Sequence, residues 1–126
     1  MGTIPKKLKL HRFSDIYILN KPETFTEVFK GIEYSESLVT TSYVECGLVF
    51  VRTKEVFANQ MLTLFPRLDD VSVVWVFYPN ITSIDEISRL HVEFNWNFLG
   101  DYRLKPTKMV SINHNWNAMK IKRILV

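Results

Sequence analysis

Val71-Ser72-Val73-Val74-Trp75-Val76-Phe77-Tyr78-Pro79 is almost unbroken in apolar side chains. A strand with one wet face alternates apolar and polar residues, and this one does not. Both of its faces must therefore be covered, as in the middle of a sheet with helices on each side. Pro79 has no amide to give to a ladder, which predicts that the strand stops there.

Outward from this segment the chain alternates. Gly47 to Arg52 predicts a second strong strand and Asp15 to Leu19 a compact third one. Thr53 caps a helix with Glu55 in its first turn, and Phe57, Met61, Leu64, Phe65 and Leu68 follow the helical period. Thr24 and Glu27 form a capping-box pattern before Phe25, Val28, Phe29 and Ile32, which predicts a short helix closed by Gly31. Ser83 and Glu86 repeat that pattern, opening a helix with Ile87, Leu90, Phe94 and Phe98 on one face and Gly100 as its C-terminal cap. Leu38 to Tyr43 is a weaker β-prone stretch.

The end of the chain is different. Lys108 to Asn113 and Ala118 to Leu125 are β-like runs joined by His114-Asn115-Trp116-Asn117, too short a link for anything but antiparallel pairing. Alternation implies right-handed parallel crossovers. The expected architecture is a three-layer α/β domain over residues 13–126, with a mainly parallel sheet ending in an antiparallel β-hairpin at its edge. A basic arm, residues 1–12, precedes it.

Composition bounds the function classes. A chain of 126 residues, 47% hydrophobic and 23% charged, is sized and composed as one globular domain. Cys46 is the only cysteine, so there is no internal disulfide and no multi-thiolate metal site. It reads as an inert buried thiol in a reducing compartment. No signal-peptide pattern or membrane-length apolar run occurs, so a cytoplasmic location without membrane association is expected. The net charge of +3 is divided between Lys6, Lys7, Lys9 and Arg12 at one end and Lys120, Lys122 and Arg123 at the other. That predicts a solvated arm and a lysine-guarded edge strand rather than a nucleic-acid surface.

Two stretches carry a resemblance: Val73-Val74-Trp75-Val76-Phe77-Tyr78-Pro79 and Ile112-Asn113-His114-Asn115-Trp116-Asn117-Ala118-Met119-Lys120. With the element order, over residues 13–125, they resemble a family of short bacterial Rossmann-like, methyltransferase-like proteins of unknown function. In that pattern a strand ends in Tyr-Pro-Lys and an acidic turn precedes Trp-Ser-Ala-Leu-Arg. This chain departs from it, with Asn80 in place of the Lys and His114-Asn115 where acids are usual. The resemblance implies a Rossmann-like fold and no catalytic residues.

Chemistry is read from the rim at the strand C-termini, where open parallel sheets bind ligands. The rim is expected to hold Lys21, Arg52, Thr53, Asn80, Thr82, Ser83, His114 and Trp116, with two helix N-termini pointing at it. The turn after Leu19, Asn20-Lys21-Pro22-Glu23, contains no glycine, which counts against a nucleotide or S-adenosylmethionine site. His11, His91 and His114 have no partners at ligand spacing, so no metal is expected. The expected function is a non-catalytic Rossmann-like domain, without cofactor, that binds a small anionic ligand or a protein partner. One alternative is a divergent S-adenosylmethionine-dependent methyltransferase; a second is non-specific nucleic-acid binding through the basic arm.

Overall fold

The structure is a computed structural model that describes residues 4–79, 103–113 and 115–123. Strands β1 (Ile16–Leu19), β2 (Cys46–Phe50), β3 (Val73–Pro79), β4 (Leu104–Ser111) and β5 (Trp116–Arg123) form one sheet in the order β1-β2-β3-β5-β4. β1, β2 and β3 are parallel, with Ile16 opposite Cys46 and Cys46 opposite Val73. β5 runs antiparallel to both β3 and β4. The sheet is therefore mixed rather than mainly parallel, since half of its four pairings are antiparallel.

All seven residues of β3 are buried, in keeping with its apolar sequence. Alternate side chains enter separate cores because successive strand residues point to opposite faces. Val73, Trp75 and Phe77 join Leu8, Leu10, Phe25, Phe29 and Trp116 on one face. Val74, Val76 and Tyr78 join Phe57, Met61 and Leu64 on the other. A single helical turn, α1 (Ile4–Lys7), opens the described chain, and those last three come from helix α2 (Lys54–Leu64), whose N-cap Thr53 accepts a hydrogen bond from the Val56 amide at 3.1 Å. Each large apolar side chain so buried contributes about 1.5–3 kcal/mol.

Four expectations are corrected. First, residues 24–32 form a 3-10 turn, Glu23–Phe25, followed by hydrogen-bonded turns rather than a regular helix, and Thr24 caps nothing. Phe25 and Phe29 still reach the core at their i, i+4 spacing. β-Branched Thr24, Thr26 and Val28 oppose a helix too short to offset its nucleation. Second, Leu38 to Tyr43 is a turn, not a strand; it buries Leu38 and leaves Val39 89% exposed. Third, the N-terminal segment is not a free arm, because Leu8 and Leu10 are 3% and 2% exposed against the sheet. Fourth, the strand at the edge is β4; β5 lies inside, between β3 and β4.

The helix expected after Ser83, with its rim residues Asn80, Thr82 and Ser83, lies outside the described residues, as does His114. No helix among the described residues is long and apolar enough to cross a membrane.

Candidate functional site

The site is organised around the end of β1. Leu19 is the last strand residue, and Asn20 adopts the left-handed region at φ 61°. Asparagine enters this region more readily than other residues with a β-carbon. Its Nδ2 donates to the Phe50 carbonyl at 3.4 Å, which ties the turn after β1 to the end of β2. On the opposite side of β1, Ser35 makes a single parallel bridge, its amide donating to Ile16 O and its carbonyl accepting from Ile18 N, both at 2.9 Å. The chain thus visits one side of β1 at Ser35 before crossing to β2 on the other. Such a reversal opens a crevice at the strand's carboxyl end, where α/β sheets take ligands.

Two cavities flank Asn20 at this crevice. One, of about 350 Å³, is walled by Phe50, Trp116 and Val56 and edged by Arg52, Asn59 and Gln60. The other, of about 420 Å³, lies on the Ser35 side and is lined by Glu36, Ser37, Thr63 and Arg67, again with Asn20 and Gln60. Arg67 is committed to structure, its guanidinium donating to the carbonyls of Thr41 and Thr63. The side-chain amides of Asn59 and Gln60 make no hydrogen bond to another described residue, and both residues line the crevice.

Of the residues predicted from sequence, Arg52 and Trp116 come together. The Arg52 guanidinium stands 4.9 Å from the Trp116 ring centroid, a cation–π distance, and no described carboxylate pairs with it. Trp116 is 5% exposed and packs edge-on against Phe25 and Phe50 at 6.1 and 5.4 Å, so it is a wall and not a flap. Lys21 turns to Thr26, donating to its hydroxyl at 2.9 Å, and does not line the cavity. Thr53 is occupied by the α2 cap.

Sequence reasoning misses Asn20, Glu36, Asn59 and Gln60. Val56, Asn59 and Gln60 do carry a signal, since their i, i+3, i+4 spacing places two amides on one face of α2 beside its apolar stripe. Glu36 carries none, because only the isolated Ser35 bridge brings it to β1.

No protein-family model matches the chain, and no curated protein matches it in sequence. Solved structures do match in fold. The ribosomal protein L11 methylase of Lactobacillus delbrueckii subsp. bulgaricus superimposes with a TM-score of 0.56 at 9% identity, over 94% of this chain and 76% of that one. A protein assigned as a type 11 methyltransferase from Sulfolobus solfataricus gives 0.52 at 11% identity, over 97% and 78%. The mitomycin 7-O-methyltransferase MmcR gives 0.50 at 11% identity, over 86% of this chain and 48% of that one. The fold is methyltransferase-like.

These likenesses overturn the expectation of a non-catalytic domain for a small anion or a protein partner, since the solved structures it resembles are methyltransferases. The error has a physical source. A turn after β1 that needs a positive φ points to glycine, yet here Asn20 provides that φ.

Proposed function

We propose that this chain is a divergent methyltransferase domain that holds S-adenosylmethionine in the crevice around Asn20. The observation that carries the reading is the reversal at β1, with a left-handed Asn20 between two cavities. The donor set suits the ligand's parts. Glu36, an exposed carboxylate one residue past the bridge, matches the acidic residue that takes ribose hydroxyls in nucleotide-binding α/β folds. Arg52, with no carboxylate partner among the described residues, offers its guanidinium to the ligand's carboxylate, a charge-assisted interaction. Phe50 and Trp116 supply an apolar wall that keeps water out. When bound, the cofactor supplies an electrophilic methyl group. The same reading carries a three-layer arrangement closed by a β4–β5 hairpin, and a cytoplasmic location in keeping with the lone thiol of Cys46.

Isothermal titration with S-adenosylmethionine and S-adenosylhomocysteine tests it. Both are expected to bind, and Glu36→Ala or Arg52→Ala should each weaken binding by about tenfold or more, as for the loss of one charged hydrogen bond. Absence of heat and of any thermal shift at millimolar ligand would sink the reading.

A further inference from the structure

A third cavity, of about 260 Å³, lies away from this crevice, where the N-terminal segment crosses the start of β3. Six cations surround it: Lys7, Lys9 and Arg12 from the N-terminal segment, Lys108 from β4, and Lys120 and Lys122 from β5. No acidic residue among the described residues lines it. The carboxylate of Glu45 is occupied instead, accepting from the amides of Ser14 and Asp15 at 2.9 and 3.1 Å. The chain's net charge is only +3, so this is a local concentration of charge that the overall balance hides.

The wall of the cavity includes a residue with an unmet donor. Trp75 lines it and is 3% exposed, and its indole N–H is buried without an acceptor among the described residues. Buried donors in folded proteins are almost always paired, so an orphan calls for an explanation. The Lys120 ammonium lies 6.0 Å from the same indole ring. Burial, then Lys122, Lys108, Lys9 and Arg12, hold Lys120 below the usual lysine range. An anion in the cavity would relieve that repulsion.

We propose that this cavity is a second ligand site, which takes consecutive phosphate groups of a polyanion. Six cations exceed what one phosphate neutralises, so the matching chemistry is a run of phosphates. A nucleic-acid strand and a polyphosphate chain both present such a run. The Trp75 ring is buried and Phe13, the other aromatic in the lining, packs against the core, so recognition is led by phosphate rather than by base. The site stands apart from the crevice: Trp75 is four residues before Pro79 on β3, roughly 13 Å at 3.3 Å per residue.

The test uses the full chain with sodium tripolyphosphate and, separately, a fluorescent single-stranded RNA oligomer, at several salt concentrations. Lys108→Glu on exposed β4 and Lys122→Glu are expected to weaken binding at least about tenfold, with circular dichroism and thermal midpoint near those of the parent. For RNA, removing one lysine–phosphate pairing lowers the log–log salt slope by about 0.7. Binding of RNA alone assigns the source to a nucleic-acid strand, and binding of tripolyphosphate assigns it to a polyphosphate; either supports the site. No binding of either, or affinity unchanged in both variants, overturns it.

Discussion

Asn20 shows how one residue can hide a site. Its left-handed φ of 61° fills the role expected of a glycine, and the Nδ2 bond to Phe50 O offsets part of the strain. Replacing it with Val should therefore cost about 1–2 kcal/mol, the penalty of left-handed backbone for a β-carbon with no local hydrogen bond. Asn20→Gly should stay close to the parent, and urea midpoints of the two variants separate these effects. Equal loss in both would place the energy in the Nδ2 bond instead. Cys46 is legible from its apolar neighbours: it is buried, and burial followed by the charge of Glu45 pushes its thiol up to about 12. At neutral pH it stays protonated, so native protein should not react with a thiol reagent until it unfolds.

Among the elements, β3 and α2 are readable because their signals are strong and local, an apolar run in one and a cap with periodicity in the other. Residues 24–32 are half readable. Periodicity locates the buried face of Phe25 and Phe29, but it does not distinguish a helix from a chain of turns with similar spacing. The start of β3 depends on a hydrogen bond no pattern announces. Ser72 is 2% exposed, and its hydroxyl donates to Val44 O at 2.7 Å while accepting from the Asp69 amide at 2.9 Å. Ser72→Ala should destabilise the fold by about 1–3 kcal/mol, because the Val44 carbonyl then loses a buried partner; urea midpoints measure it. Asp69 completes the turn. Burial acts to raise its carboxyl, but hydrogen bonds from the Val71 and Ser72 amides win, so the net shift is downward. A lowered folded value means stability that is present above the ordinary aspartate range and lost as pH falls through the folded value. Thermal midpoints between pH 6 and 2 should accordingly drop in the parent and drop less in Asp69→Asn.

At the scale of the whole molecule, sequence fails where distant segments meet. The basic residues look diluted because they sit at opposite ends of the chain, yet the sheet order brings β5 beside β3 and the N-terminal segment across both. The Ser35 bridge that creates the crevice is one residue long and leaves no periodic trace. The edge of the sheet, by contrast, is legible. Lysines 120 and 122 suggest that β5 is the guarded edge, but Pro106 in β4 is the better sign, since proline lacks a ladder donor and is confined to edges and bulges. β4 is the edge, the register shifts between Pro106 and Lys108, and most of its residues are exposed. Lysine, proline and an irregular register each discourage pairing with a second chain. Lys105→Val combined with Pro106→Val removes two of these devices and leaves Lys108 and the basic cavity in place. The doubled variant should retain the parent's far-ultraviolet spectrum but scatter more light and elute earlier as concentration rises, because the new edge offers an apolar ladder with its donors restored. Unchanged scattering across the concentration range would mean that the irregular register between Pro106 and Lys108 protects the edge without them.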